Sequence, residues 1–401
     1  MVMEAPGSAP QGRVVSIDVF RGLTIAVMIF VNALSDVKGL PWWTYHAHAQ
    51  DDVMTYVDMV FPFFLFIVGM SLPLSVESRL KRNPSRVALW AHLLVRVAGL
   101  LVLGLILANA DMCSAALTGM RGSTWGLLGL AAAGLYLNVY PKPWRWVWVL
   151  RGVGLAAVVL LLAMFRRTTP GGRSAWLEFS YPEILGLIGL SYLVLVILYV
   201  PARRWRWMPA VWFVLLAAFC ALCAAHTITF VDRLSLYEWP VSNGALVCVM
   251  MAGVVTTELF QSEWARTNPR RAIGAAVAGA AVTLAAGVAL APLGISKIRA
   301  TPAWVLWSVG AAVLLFALLW WICDVKRKTG WAWPVRAAGN NTLTAYLLPD
   351  LWDFGTAAAG ATLMATHWTA GWPGVVKVLV FTAAMLALTR LVTRWGVRLQ
   401  F

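Results

Sequence analysis

Twelve apolar runs separated by short polar loops take up most of this chain and constrain its fold more than any other feature. Most of the runs reach the roughly 20 residues that an α-helix needs to cross the hydrocarbon core of a membrane. Of the 401 residues, 61% are apolar and only 12% are charged, whereas soluble domains carry about 25% charged residues. The sequence therefore predicts an all-α, polytopic helical membrane protein. The runs lie near residues 18–36, 56–75, 87–109, 124–140, 146–165, 183–200, 207–226, 243–261, 272–292, 303–323, 334–351 and 374–395.

Lys and Arg residues between the runs predict the orientation, because cytoplasmic loops of membrane proteins are enriched in them. With the N-terminus inside, the inside segments hold 18 of these residues and the outside loops hold 8. We therefore expect about twelve transmembrane helices with both termini in the cytoplasm. Eleven is the alternative count, because the fourth and eleventh runs are the weakest. Residues 1–15 are expected to form a disordered cytoplasmic tail, and residues 16–401 a single transmembrane domain.

The net charge of +15 would indicate nucleic-acid binding in a soluble protein. Here most of the charge lies in loops between apolar runs, which indicates membrane topology and contact with anionic lipid. We therefore expect membrane lipids as partners and no nucleic acid. The five Cys residues lack the spacing of metal ligands, so no metal site is expected.

Polar residues on the first predicted helix share one face. Asp18 and Arg21 are three residues apart, and Asn32 follows Arg21 by eleven residues, which is three helical turns. Such a stripe indicates a helix face that borders a cavity in the bundle, because polar side chains are costly against lipid. A simple salt bridge between Asp18 and Arg21 at the membrane surface is the alternative.

The loop after the first run carries His46 and His48, and Asp58 begins the second helix ten residues after His48. Imidazole is suited to proton transfer near neutral pH, and a carboxylate can orient it and stabilise its charged form. This spacing predicts His48 and Asp58 as catalytic residues. The alternative for His48 is an ordinary solvated loop histidine.

Several motifs together resemble the heparan-α-glucosaminide N-acetyltransferase family, in particular its bacterial branch of transmembrane glucosamine N-acetyltransferases. The similarity is dense over residues 16–82 and 290–350 and patchy between them. The motifs are Ser16-Ile-Asp18-x-Phe20-Arg21-Gly22, Val31-Asn32, His48-Ala, Asp58-x-Val-Phe-Pro62-Phe-Phe-x-Phe-Ile-x-Gly69, Pro292-x-x-x-Ser296-Lys297-Ile-Arg299-Ala-Thr301-Pro302 and Gly339-Asn340-Asn341-x-Leu-x-x-Tyr346.

The resemblance implies an inner-membrane enzyme of bacteria that acetylates the amine of glucosamine or a glucosaminide. It implies acetyl-CoA entering from the cytosol, an essential histidine that falls on His48, and a homodimer. The family's His-Ala-x-Trp-Asn is His48-Ala-Gln50-Asp51-Asp52 here, which removes an aromatic residue from the acceptor side. An O-linked sugar acceptor is therefore an alternative, and a sugar or amine permease is an alternative of a different class.

Roles can be assigned to the remaining residues from this chemistry. His48 acts either as the base in direct transfer or as an acetyl carrier, and the sequence favours neither route. Asn32, Asn340 or Asn341 could donate a hydrogen bond to the thioester oxygen as it gains negative charge. We expect Arg21 with its neighbour Asp18, and Arg79, Arg82 and Arg96, near the phosphates of CoA; positive-inside placement is the alternative. Acceptor binding is assigned to Ser296, Lys297 and Arg299, and capping of a helix is the alternative for Lys297 and Arg299.

Overall fold

The computed structural model describes residues 14–141, 144–181, 183–234, 243–361 and 367–400. Fifteen α-helices lie in these ranges, together with one antiparallel pair of two-residue strands, Arg167–Thr168 and Ser174–Ala175. The helices are α1 (Val15–Leu34), α2 (Val60–Arg82), α3 (Arg86–Ala110), α4 (Ala115–Thr118), α5 (Gly122–Leu137), α6 (Val147–Met164), α7 (Glu183–Ala202), α8 (Met208–Ala224), α9 (Ala245–Gln261), α10 (Glu263–Thr267), α11 (Pro269–Ala289), α12 (Pro302–Trp320), α13 (Trp333–Asn340), α14 (Thr342–Ala358) and α15 (Gly371–Arg394).

The predicted all-α, polytopic class is confirmed. Each of the twelve apolar runs contains a helix, and eight described helices (α1, α2, α3, α6, α7, α11, α12 and α15) are long and apolar enough to cross a membrane. The helices in the other four runs, α5, α8, α9 and α14, have 16 or 17 residues. The count of twelve spans and the cytoplasmic placement of both termini stay predictions, and so does the single domain. Most of the predicted tail lies outside the described residues.

The eleventh run differs from its prediction, because it forms two helices rather than one. Helix α13 ends at Asn340 and α14 starts at Thr342, with Asn341 between them in a non-helical conformation. The Asn341 side chain donates hydrogen bonds to Thr393 Oγ1 (2.9 Å) and to the Val397 carbonyl oxygen (2.8 Å). The chain therefore bends where a buried amide is anchored to the end of α15.

Helix α1 packs against five other described helices, α2, α12, α13, α14 and α15. Its contact with α13 is close because both sides use glycine. A Cβ atom on Gly22 would overlap the carbonyl oxygen of Val335, and one on Gly339 would overlap that of Asp18. This approach fixes the segment around Asn340 beside the start of α1.

The two ends of α1 are held by different partners. At its start, the backbone N–H groups of Val15 and Ser16 donate to the Asp324 carboxylate (3.0 and 3.1 Å), which suits the positive end of the helix dipole. At its other end, the chain forms the loop that carries both histidines and returns into α2 through a short 3-10 turn, Val57–Met59. The histidine loop and the Arg21 region therefore lie at opposite ends of α1.

Candidate active site

Asp58 is the centre of a cluster at the end of α1 where the histidine loop lies. Its side chain is buried, and it accepts hydrogen bonds from the backbone N–H groups of Thr55 (3.1 Å) and Ala47 (3.3 Å) and from the Thr55 hydroxyl (3.3 Å). The indole N–H of Trp304 donates to the Asp58 carbonyl oxygen (3.1 Å). These bonds satisfy the buried carboxylate and fix its direction.

The imidazole that Asp58 holds belongs to His46. Nδ1 of His46 lies 2.8 Å from Asp58 Oδ1, and the His46 side chain is 41% exposed whereas that of Asp58 is 2% exposed. An ionised carboxylate can only accept, so Nδ1 carries the hydrogen of this bond, and the neutral ring keeps its lone pair on Nε2. A buried acid thus orients a partly exposed base.

The structure does not show the predicted contact between His48 and Asp58. The chain turns directly after His46: the His48 backbone N–H donates to Asp51 Oδ2 (3.2 Å), and the His48 carbonyl oxygen accepts from the Asp51 N–H (3.1 Å). The His48 side chain is exposed. Because Ala47 is tied to Asp58 and the turn follows at once, the ring beside the carboxylate is the one at position 46.

A second loop, which precedes α12, completes this cluster. Lys297 Nζ lies 3.1 Å from Nδ1 and 3.5 Å from Nε2 of His46, and 3.8 Å from Asp58 Oδ1. Burial lowers the pKa of Lys297, and the Asp58 carboxylate offsets part of that effect. Lys297, to which the sequence assigned acceptor binding, therefore contacts the His46–Asp58 pair; the assignment itself stays a prediction.

The neighbouring predicted acceptor residues hold the two loops together. Arg299 is paired with Asp52, and the Arg299 side chain lowers the pKa of Asp52. The Asp52 carboxylate also accepts from the Ile295 N–H (3.2 Å). Ser296 is buried, and its backbone N–H and hydroxyl bond within its own loop, to Thr301 and Arg299. Ser296 therefore shapes the loop rather than presenting its side chain to a ligand.

Near the start of α1, three of the predicted CoA-binding residues line one cavity of about 280 Å³, which we call the basic cavity. They are Arg21, Arg96 and Asn340. Arg21 donates to Ser71 Oγ (2.7 Å) and to the Gly339 carbonyl oxygen (3.1 Å), so it is held between α2 and α13. Its contact with Asp18 is longer, 3.5 Å.

Arg96 is the cation in the basic cavity whose charge is least compensated. Its guanidinium lies over the Tyr192 ring, 4.6 Å from the centroid, and its Nε is buried without a hydrogen-bond partner among the described residues. Arg79 and His92 are close enough to Arg96 to interact with it electrostatically. A partly buried cation without a counter-charge is unfavourable, so this arrangement favours an anionic ligand.

The remaining predicted CoA-binding residues do not line the basic cavity. Arg82 is exposed and donates to Ser78 on its own helix (2.9 Å), and Asn341 is used to anchor α15. Asp18 and Arg79 are near the cavity through Arg21 and Arg96, respectively. The structure therefore groups part of the predicted set and separates the rest.

A larger cavity of about 840 Å³ lies toward the other end of α1 and contains Asn32, as the polar stripe predicted. We call it the acidic cavity because four carboxylate side chains line it: those of Asp36, Glu183, Asp350 and Asp353. Lys377 is the cation among its described lining residues. Tyr346 lines both this cavity and the basic one. Such a lining favours a ligand that carries positive charge.

The family described as "Domain of unknown function (DUF5009)" matches residues 13–240, which is more than half of the sequence. The chain belongs to the DUF5009 family.

Curated relatives resemble this DUF5009 protein over a shorter stretch. The human protein named heparan-alpha-glucosaminide N-acetyltransferase is 38% identical over 106 residues, 26% of this chain and 15% of its own length. The mouse protein of the same name is 37% identical over 101 residues, 25% of this chain and 15% of its own length. The resemblance drawn from the motifs is thus confirmed, and it covers a small part of the relatives' length.

Sequence reasoning missed some residues of the candidate site in this DUF5009 protein. His46 was passed over because the ten-residue spacing to Asp58 belongs to His48, although both histidines were visible in the loop. The acidic cavity draws Glu183 from α7 and two aspartates from α14, and no local pattern links them. Within the described residues, no group of three His, Cys, Asp or Glu side chains is arranged to hold a metal ion.

Proposed function

We propose that this protein is a membrane acyltransferase that moves the acetyl group of cytosolic acetyl-CoA to the amine of glucosamine or a glucosaminide. The observation that carries the proposal is the His46–Asp58 pair, an exposed imidazole held by a buried carboxylate. The curated relatives named as N-acetyltransferases support the reaction class. The setting is the inner membrane of a bacterium, with lipid around the bundle and a homodimer as the assembly that the family suggests.

In this reaction, the amine nitrogen attacks the thioester carbonyl carbon. The N–C bond forms, the C–S bond breaks, and CoA leaves as its thiolate. Nε2 of His46 takes the proton from the attacking amine and Asp58 stabilises the imidazolium; the proton then passes to the thiolate or to water. Asn32 and Asn340 line the two cavities and are the amides we assign to donate to the thioester oxygen, whereas the Asn341 amide is bonded to the Val397 carbonyl oxygen.

The two cavities fit the two substrates by charge. Arg21 and Arg96 in the basic cavity suit the phosphates of CoA. The carboxylates of the acidic cavity suit the ammonium form of an amino sugar, which would bind there before its amine reaches His46, a residue outside the described lining of both cavities. The predicted topology places the start of α1 in the cytoplasm, so the donor would enter from inside and the acceptor from outside.

The test is a proteoliposome assay with the full chain. Labelled acetyl-CoA is supplied on the side of the basic cavity and glucosamine on the other side, and N-acetylglucosamine is measured by mass spectrometry. Glucose serves as the matched acceptor without an amine, and it also tests the alternative of an O-linked product. Product from glucosamine and none from glucose is expected. Product from neither sugar, with intact protein and sealed vesicles, would contradict the proposal.

A permease is the second candidate, because cavities toward opposite ends of α1 that share Tyr346 also suit transport. The same vesicles separate the two functions. A permease accumulates unmodified glucosamine when acetyl-CoA is absent, and an acetyltransferase does not. We expect no such uptake.

The direct and acyl-enzyme routes can be separated by rapid mixing with labelled acetyl-CoA and no acceptor. A burst of free CoA with one retained acetyl group per chain indicates an acetyl-imidazole at His46. The absence of a burst, together with normal turnover when glucosamine is added, indicates direct transfer.

A further inference from the structure

Tyr346 stands between the two cavities. It lies on α14, is 7% exposed, and lines the basic cavity on one side and the acidic cavity on the other. Its ring packs against Phe64 of α2, with 6.3 Å between the ring centroids. An aromatic side chain shared by the two cavities is therefore placed to separate a donor in the basic cavity from an acceptor in the acidic cavity.

The Tyr346 hydroxyl donates to Glu183 Oε1 over 3.3 Å, so a carboxylate on α7 holds the ring in place. The other oxygen, Oε2, accepts from the Leu185 N–H (2.8 Å). Glu183 has φ +56°, a left-handed conformation that non-glycine residues rarely adopt. In this conformation at the start of α7, Glu183 both lines the acidic cavity and accepts the hydrogen bond from Tyr346.

We propose that Tyr346 is a positioning residue that keeps the two cavities apart until the cationic acceptor binds, and that Glu183 couples its opening to that event. The inference rests on the proposed function. A carboxylate forms a stronger, charge-assisted bond with an ammonium group than with a neutral hydroxyl. An amine in the acidic cavity therefore competes for Glu183, releases Tyr346 and opens the route. Without an acceptor, the closed ring shields the thioester from water that enters from the acidic cavity.

Cysteine accessibility tests this coupling without any measurement of turnover. The five native cysteines are free thiols and four are buried, so Cys113→Ser gives the background. Val68→Cys places a thiol in the basic cavity, and Ala33→Cys places a matched control thiol in the acidic cavity. A charged, membrane-impermeant maleimide is added on the side of the acidic cavity to sealed vesicles containing the full chain.

With Tyr346 intact, the maleimide should label Ala33→Cys readily and Val68→Cys slowly. Tyr346→Phe keeps the ring and removes the hydrogen bond, and it should speed labelling of Val68→Cys by roughly tenfold or more. Tyr346→Ala should speed it further, and neither change should alter labelling of Ala33→Cys. Glucosamine should reproduce the effect in the protein with intact Tyr346, and glucose should not. Equal labelling of Val68→Cys in all three proteins would overturn the inference.

A second readout separates this inference from the proposed function. If the protein transfers acetyl groups, Tyr346→Phe should release CoA from acetyl-CoA without an acceptor, because water then attacks the thioester carbonyl and breaks the C–S bond. If acetyl transfer is intact but Tyr346→Phe causes neither this hydrolysis nor faster labelling, the role of Tyr346 is rejected and the proposed reaction stands. If labelling is faster but no acetyl transfer is measured, the proposed reaction is rejected and the separation of the two cavities by Tyr346 stands.

Discussion

Replacing His46 by alanine is the change that tests the candidate site most directly. In the structure, Asp58 is buried and accepts from two backbone N–H groups and the Thr55 hydroxyl, and its remaining strong partner is the His46 ring at 2.8 Å. Removal of the ring therefore takes away the base and leaves the rest of the Asp58 network in place. His48→Ala removes an exposed ring from the same loop and is the matched control.

The expected loss follows from the role of a positioned base. General base catalysis contributes about 10²–10⁴-fold, which is about 2.7–5.5 kcal/mol of transition-state free energy. We expect His46→Ala to lower kcat/KM by this amount and His48→Ala to change it by less than about threefold. Asp58→Asn keeps the shape and removes the charge, so we expect a loss of about 10²-fold or more. Because His46 and Asp58 act as one unit, kcat/KM of the double variant should be little lower than that of the less active single variant.

The assay is initial-rate acetyl transfer from acetyl-CoA to glucosamine with purified full-length variants in vesicles. Size-exclusion profiles and thermal midpoints establish that each variant is folded before rates are compared. The reasoning would be refuted if His48→Ala abolished transfer while His46→Ala left it nearly normal. The ten-residue spacing would then have identified the base, and the contact between His46 and Asp58 would be structural.

Three further predictions concern residues around the site. Arg96→Gln should raise KM for acetyl-CoA by roughly tenfold with the glucosamine KM unchanged, and Arg96→Lys should recover only part of the affinity because it loses the planar contact with Tyr192. Just below pH 10.5, the unfolded chain binds more protons at Lys297 than the folded chain, whose Lys297 pKa is lowered by burial. The contribution of this residue to stability therefore rises with pH toward that value, and Lys297→Met should remove the rise in a thermal-unfolding series from about pH 8 to 10. Asn341→Ala should lower the free energy of unfolding by about 1–3 kcal/mol, since it removes a buried amide that donates to the Thr393 hydroxyl on α15 and to the Val397 carbonyl oxygen beyond that helix. Asn340→Ala should raise KM for acetyl-CoA, because Asn340 lines the basic cavity.

The apolar runs predicted the helices well because the hydrocarbon core of a membrane imposes a simple physical requirement. A segment that crosses a membrane must be apolar over most of its length and must satisfy its backbone hydrogen bonds within itself. The predicted bounds 18–36 and 303–323 therefore lie within three residues of the ends of α1 and α12. The break at Asn341 was not visible in this pattern, because it depends on acceptors at Thr393 and Val397, more than fifty residues away.

The sequence by itself determined the helical class, the presence of a carboxylate and imidazoles in one loop, and the polar stripe of Arg21 and Asn32 on α1. Those features are local, so spacing along one helix or one loop is enough to define them. Only the tertiary structure decided which histidine contacts Asp58, because the turn at Asp51 directs His48 away from the carboxylate. It also brought Lys297, which is 251 residues further along the chain, into contact with His46. The contact between Glu183 and Tyr346 also depends on the tertiary structure, since it joins α7 and α14 and the sequence does not state which helices pack together.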